Sequence, residues 1–445
     1  MSGEPDVLVV GAGISGLAAA IALQAAGRQV RVCERRDTVG GLCGSRELDG
    51  FEFTVACNDF GSAFARTMSD LGVDIAFTEP QSLFCTERAR YRFPIGLRTI
   101  RPFIPLAADL FRFLRAVHTV GDKPIFVADI LDRHVRSRDF ADFIGTFCWA
   151  FATPPRHFRA DMFAALFSKK LAYGYDRPVT PVGGPQVLVD RMAQRLVELG
   201  GTIDLRTPVT QVSEGPGTKT VLAGGQVTSA RYVVSSEARL DLYPPTAIPG
   251  LAAGVLHLAT AKDAPFPPGV HTIAHIPPNV PRLLDTLDQG EQPAAPLFSI
   301  FPCDLPGERD YRSFNAYVLF PRGITEFGPA ERDQLERYIL AQVETIAPGF
   351  TRKIRYRRLI SPAQFQRLHG LSSVAIPAVL PPNFTKPDGY DHDRDIYYVG
   401  NSVQPTCEHA GSALESALHA AAAINSREQP HREWTKYSSR TQSIR

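Results

Sequence analysis

The chain has 445 residues, of which 44% are hydrophobic and 21% charged, with a formal net charge of +2. That length exceeds one ordinary core and predicts two or three compact units, while the near-neutral balance gives no electrostatic basis for a nucleic-acid partner. The cysteines at 33, 43, 57, 85, 148, 303 and 407 are scattered without a C-x-x-C pair. Neither a disulfide framework nor a zinc site is expected, and a reducing compartment is. Met1 precedes acidic and polar residues instead of a basic leader, and no apolar run reaches bilayer length, so a cytoplasmic protein is the expectation.

In chain order, Val7 to Val10 reads as a buried strand, Ile14 to Ala26 as an Ala-rich helix, and Val30 to Val32 as a second strand, a βαβ opening. Residues 81–175 shift to Phe, Arg and Leu in helical spacing, interrupted early by Pro94, Pro102 and Pro105, and predict a helical insertion. Leu188, Met192, Leu196 and Leu199 recur along a helix that ends at Gly200-Gly201. Short strands over 202–212 and 226–235 follow. Residues 241–390 alternate apolar and polar positions between prolines, which predicts an antiparallel sheet. The strand Ile396–Val399 and a helix from about Gly411 to Ile424 close the ordered part, and 426–445 is a polar tail without periodicity.

Gly11-Ala-Gly13-Ile14-Ser15-Gly16 directly follows the first strand and opens the helix. Gly11 permits the tight turn, Gly13 lets a pyrophosphate approach the backbone, and Gly16 lets helix and strand pack closely, so that the anion meets the helix amino end. Glu34, at the end of the second strand, has the position and chemistry to accept hydrogen bonds from both ribose hydroxyls, and disfavours a 2′-phosphate.

Three further segments, Glu34-Arg35-Arg-Asp-Thr-Val-Gly40-Gly41 with Asp49-Gly-Phe-Glu-Phe53, Pro181-Val-Gly-Gly184 before a helix, and Tyr397-Tyr-Val-Gly400-Asn401 before the last helix, complete a pattern spanning almost the whole chain. It resembles the FAD-dependent amine oxidase and phytoene desaturase superfamily. The resemblance implies a Rossmann-type, glutathione-reductase-like α/β domain that binds FAD non-covalently and is assembled from residues 1–80, 176–240 and 391–425. An α+β substrate domain would comprise the helical insertion, 81–175, and the antiparallel sheet, 241–390. It also implies that Gly40 and Gly41 lie along the pyrophosphate and flavin, that Val209 reaches the adenine, and that Gly400 and Asn401 close over the phosphate and ribityl chain. Ile14, Ser15, Arg35, Leu42 and the helix-opening residues Gly411, Ser412 and Ala413 join the expected cofactor set. Asn401 stands where the superfamily usually has Asp, Leu42 where Arg is common, and Thr54 where Asp is frequent; Asn still donates and accepts hydrogen bonds.

The expected reaction is removal of two electrons, as a hydride to the flavin, from a C–N or C–C bond of a small, partly apolar metabolite, with oxygen or another acceptor taking the electrons onward. Glu408 and His409 are the candidate acid or base, with helix capping by Glu408 and Ser412 as the alternative role. Cys43 and Cys57 flank the flavin region as either redox groups or buried thiols. The aromatic run Phe140, Phe143, Phe147, Trp149, Phe151 and Phe158 predicts ordinary core with a minority reaching a pocket. His271 and His275 lack the Glu of a zincin helix, so no metal site is expected. The arginines at 88, 90, 92, 98 and 101, interleaved with Phe93, Ile95 and Leu97, read as a solvated face in preference to a membrane-surface patch. Two other readings of the same scaffold stand beside the oxidoreductase: a flavin-dependent isomerase or mutase without net redox change, and a flavin-free binding protein resembling the Rab GDP-dissociation inhibitors.

Overall fold

A computed structural model of the chain describes residues 4–119, 125–167, 173–175, 177–213, 216–372, 386–405 and 409–427. Glu408 and the tail beyond residue 427 lie outside the described residues.

The first unit is a six-stranded sheet. Its order is Tyr390–Asp391, Ile396–Tyr398, Tyr232–Ser235, Val7–Val10, Val30–Cys33, Thr202–Asp204, parallel throughout except at the 390–391 edge. Alternation along Val7–Val10 divides its contacts between two cores. Val7 and Val9 pack under the helices Ile14–Ala25, Pro185–Glu198 and Ala410–Ser426. Leu8 points the other way, against the three-stranded antiparallel sheet Val209–Val212, Lys219–Ala223, Gln226–Ala230. Strands buried on both faces read as continuous apolar runs, which is why Val7–Val10 carries no polar residue.

The second unit is a seven-stranded sheet ordered Ile354–Ile360, Ala253–Ala261, Tyr311–Leu319, Phe298–Pro302, Val270–His275, Gln81–Cys85, Arg90–Phe93. Neighbours are antiparallel except for the parallel pair formed by Val270–His275 and Gln81–Cys85. The helix Pro329–Ile346 covers one face through Leu335, Ile339 and Val343. On the other side stand the helices Ala107–Thr119, Val127–His134, Arg138–Ala150 and Ala160–Ala165. Asp142 docks the third of these by accepting the N–H groups of Asn279 and Val280, at the start of the helix Val280–Asp288.

Two sequence expectations need correction here. Residues 81–93 form a hairpin of the sheet and not helix: Leu83 and Cys85, with their register partners Arg92 and Arg90, lie on the face under Pro329–Ile346, while Phe84, Tyr91 and Phe93 alternate onto the other face, against the helical core. In the stretch expected to form an antiparallel sheet, the connections between strands also hold helices, the longest being Pro329–Ile346. The Arg90-x-Arg92 spacing is therefore strand alternation.

Gly16 fixes how closely the first helix approaches the first strand: a Cβ there would lie 1.9 Å from the Gly11 carbonyl oxygen. Gly16→Ala should lower stability by about 1–3 kcal/mol and reduce flavin loading, as measured by thermal denaturation and the flavin-to-protein absorbance ratio. An unchanged melting midpoint would show that the turn relaxes without cost.

Candidate active site

A cavity of about 1120 Å³ runs from the carboxyl ends of the six-stranded sheet to the helix-covered face of the seven-stranded one. Its volume exceeds the usual range for a drug-sized ligand, roughly 300–1,000 Å³. At the first end, Gly11, Gly13, Ile14, Ser15, Gly40, Gly41 and Leu42 form the wall. The helix Ile14–Ala25 starts there with Gly13 as its cap residue, no side-chain cap and no acidic residue in its first turn. Its unpaired N–H groups are thus available to an anion. A Cβ on Gly13 would meet nothing within 4 Å, so the backbone is open on the cavity side.

Glu34 is buried, and both its carboxylate oxygens take backbone donors: Oε2 from Ala12 N–H at 2.7 Å and Oε1 from Arg36 N–H at 2.9 Å. Each oxygen keeps acceptor capacity on its cavity side. Arg35 and Arg36 diverge. Arg35 is exposed and donates to the Gly370 carbonyl, whereas Arg36 turns inward, donates to the Gly41 carbonyl at 3.1 Å and leaves Nη2 buried without a hydrogen-bond partner. Burial pulls the Arg36 guanidinium below its ordinary range. Arg36 was not singled out in the sequence; its adjacency to Glu34 is the one local signal.

Val209, Gly400, Asn401 and Ala413 also line the cavity. Gly400 N–H donates to Ser416 Oγ at 2.8 Å, and the Asn401 carbonyl accepts from Lys386 Nζ at 2.7 Å. Gly16, Gly411 and Ser412 do not reach the wall: Gly16 packs beneath the turn, and Gly411 and Ser412 are buried in the last helix. These observations fit an FAD. The adenine dinucleotide would run past an uncapped helix end, an open glycine, an acidic strand end and an unpaired guanidinium nitrogen.

The second end is aromatic. Phe84, Phe93, Phe147, Phe151 and Tyr317 line it, together with Trp149, whose Nε1 is buried without a partner. Of the predicted aromatic run, Phe147, Trp149 and Phe151 reach the cavity, while Phe140, Phe143 and Phe158 belong to the helical core. One row of the sheet supplies the floor: register pairs join Phe84 to Ala274, Ala274 to Ser299, Ser299 to Tyr317, and Tyr317 to Val255, and all five line the cavity.

His409 caps the helix Ala410–Ser426. Its Nδ1 accepts from Gly411 N–H at 3.0 Å, while its N–H reaches Ser412 Oγ at 3.4 Å. Capping thus falls to His409 and Ser412. The ring sits against Tyr173 and Tyr175, with centroids at 4.6 and 4.8 Å. Burial, reinforced by the Lys386 charge, pulls its pKa down to about 3, so the imidazole is neutral. With Nδ1 accepting, the proton is assigned to Nε2, which is buried, faces no partner and belongs to a cavity-lining side chain.

Asp59, also absent from the sequence-derived set, lines the same chamber. Burial raises its carboxyl to about 6. Backbone bonds between Phe60 and Val179, and from Ala63 N–H to the Tyr173 carbonyl, hold its segment against the strand-like stretch carrying Tyr175. Cys43 and Cys57 both line the cavity, and their side chains are hydrogen-bonded; that bond and burial push the Cys43 thiol well above its ordinary value. His271 and His275 lie in a strand, where His275 Nε2 pairs with Tyr338 Oη at 2.9 Å. Among the described residues no group of three or more His, Cys, Asp or Glu side chains is arranged to hold a metal ion.

Comparison with known proteins agrees with this geometry. The profile of an NAD(P)-binding Rossmann-like domain matches residues 9–71, and that of the flavin containing amine oxidoreductases matches residues 126–425. Putrescine oxidase of Kocuria rosea is 60% identical over 47 residues, 11% of this chain and 10% of that protein. This chain spans only part of the curated relatives it matches, about a tenth of the length of three of them and 43% of a fourth. Among solved structures, wild-type putrescine oxidase bound to putrescine superposes with a TM-score of 0.66 at 20% identity, covering 95% of this chain and 99% of that one. Cyclohexylamine oxidase from Brevibacterium oxydans gives 0.65 at 16% identity over 96% and 99%. The flavin-free binding-protein alternative therefore gives way to an enzyme. The chain belongs to the flavin containing amine oxidoreductase family and is an FAD-dependent oxidoreductase.

Proposed function

We propose that this enzyme removes two electrons from the C–N bond of a small amine with an apolar body, the aromatic chamber holding the body and Asp59 the nitrogen. The observation that carries the reading is the Asp59 carboxyl. Among the described cavity residues the other carboxylates, Glu34 and Glu237, follow strands of the nucleotide-binding sheet, which leaves Asp59 as the described carboxylate at the aromatic end. The amine substrates named for putrescine oxidase and cyclohexylamine oxidase support the same reading.

FAD, when bound, supplies the acceptor for the hydride that leaves the carbon next to nitrogen, and oxygen or another acceptor takes the electrons onward. Gly13 and Ser15 would hold its pyrophosphate through backbone N–H groups, Glu34 its ribose, Arg36 a further acceptor through Nη2, and Val209, Gly400 and Asn401 the remaining contacts. Asp59, ionised above about pH 6, pairs with an incoming ammonium and accepts the proton that nitrogen must lose before its neighbouring carbon can release a hydride. His409 contributes an uncharged Nε2–H donor in a fixed direction instead of a titrating base. The aromatic walls exclude water, which strengthens both interactions.

Desaturation of a C–C bond is the competing reading, favoured by the extent of the aromatic wall; it leaves Asp59 without a role. Mixing enzyme with a panel of aliphatic and aromatic amines and polyenes under anaerobic conditions decides between them. Stoichiometric bleaching by an amine is expected; bleaching by polyenes alone overturns the amine reading, and turnover without bleaching returns the isomerase.

Asp59 gains a proton as pH falls through about 6, so kcat/KM should fall below that value by roughly tenfold per pH unit, and Asp59→Asn should abolish the acidic limb while flavin loading holds. An identical pH profile in the variant removes Asp59 from substrate binding. His409→Ala should lower kcat by on the order of a hundredfold, with His409→Gln recovering part of the loss. Unchanged turnover in a flavin-loaded His409→Ala enzyme excludes the donor role.

A further inference from the structure

The helix Ala107–Thr119 and the short 3-10 helix that precedes it, Arg101–Leu106, have an apolar face on each side. Leu106, Asp109, Phe113 and Ala116 point inward, the three apolar ones joining the helical core. Ile100, Ile104, Phe111 and Leu114 recur on the outside at the spacing of one helical face and are solvent-exposed. Leu97, just upstream, is 98% exposed, Phe111 67% and Ile104 64%. With Ile95 and Leu110, these make seven of the fifteen large apolar side chains exposed among the described residues, all within 95–114. Scattered exposed apolar residues are normal; a concentration of this kind is an interaction surface.

The charge around it is one-sided. Residues 94–119 contain Arg98, Arg101, Arg112 and Arg115 and a single acid, Asp109. Asp109 is buried, accepts the N–H groups of Arg136 and Ser137, and pairs with Arg112, so it does not offset the exposed Arg98, Arg101 and Arg115. Large apolar side chains flanked by exposed arginines suit the boundary between headgroups and acyl chains of an anionic bilayer. No described helix is long and apolar enough to cross a membrane, which leaves surface docking as the mode.

We propose that the face formed by Leu97, Ile100, Ile104, Phe111 and Leu114 docks on an anionic lipid surface, the apolar side chains entering the acyl boundary and the arginines meeting the headgroups. The docking face adjoins the cavity. Phe103, in the same 3-10 turn, packs at 5.0 Å between centroids on Phe93, a cavity-wall residue, so a docked enzyme holds its aromatic chamber one ring layer from the bilayer. The weaker sequence reading, an arginine run along 88–101, thus gives way to an apolar face with arginines at its margin.

Flotation of the flavin-loaded protein with vesicles of phosphatidylcholine containing phosphatidylserine tests this. Wild type should co-float at low salt and be released by salt, and each Arg→Gln change at 98, 101 or 115 should weaken partitioning roughly fivefold. Leu97→Ser, Ile104→Ser and Phe111→Ser should each weaken it on the order of tenfold or more. Their flavin content and melting midpoint report folding, which exposed positions should leave unchanged. The proposal is overturned by wild type remaining unfloated, by equal and salt-insensitive binding to phosphatidylcholine alone, by a folded triple serine variant that floats like wild type, or by light scattering showing a dimer that the serine changes dissolve while nothing floats.

Discussion

Glu34 holds the cofactor end of this molecule together. Its two carboxylate oxygens take the backbone N–H groups of Ala12, in the glycine turn, and Arg36, past the second strand. Its own N–H donates to the Asp204 carbonyl and its carbonyl accepts from Thr207, which brings in the returning segment that carries Val209. One residue, through its carboxylate and its backbone together, therefore joins the glycine turn, the end of the second strand and the returning 204–207 stretch. Removing the carboxylate would leave the Ala12 N–H buried and unsatisfied at the point where the helix amino end must face an anion, a cost of about 1–3 kcal/mol before any ligand is considered.

What could be read in the sequence follows from how local its physics is. The glycine turn, the acid ending the second strand and the apolar runs of the parallel strands are local patterns, and each has a backbone reason. The hairpin 81–93 was not legible, because Gln81–Cys85 owes its strand state to a parallel partner, Val270–His275, far along the chain. Asp59 has no motif around it; its significance comes from backbone bonds that set its segment beside Tyr173 and Tyr175. Arg35 and Arg36 are indistinguishable by composition and both line the cavity; only the bend after the strand decides which one turns inward and which stays exposed. His409 was recognisable as a candidate, but its charge was not: the neutral state comes from the rings of Tyr173, Tyr175 and Phe151 packed around it.

Desolvation sets the electrostatics of the chamber. It lowers His409 to about 3, drives the Tyr317 hydroxyl up, and with the Cys57 bond keeps the Cys43 thiol protonated. Each of these groups is thereby neutral near pH 7. Asp59, raised to about 6, still ionises there and gives the aromatic end a negative charge. Two donors, Trp149 Nε1 and His409 Nε2, meanwhile stand buried without acceptors. Unsatisfied buried donors are rare in folded proteins, and those that persist need a reason. An acceptor-bearing ligand in this cavity supplies one.

The chamber floor shows how the sheet divides shape from chemistry. Phe84, Ala274, Ser299, Tyr317 and Val255 come from five different strands yet lie in one register row, so a one-residue slip of any strand would turn its member away from the cavity. Tyr317 is further pinned by donating its hydroxyl to the Val55 carbonyl at 3.0 Å, which ties the floor to the segment that continues into Asp59. The small pair Ala274 and Ser299 between the rings of Phe84 and Tyr317 sets the space left for a substrate. The polar groups that would act on that substrate arrive from outside the sheet, Asp59 from the first unit and His409 from the last helix. Changes in the row away from Tyr317 can therefore alter which molecule fits without moving the groups proposed to hold and polarise it, so fit and chemistry would be largely separate in this fold.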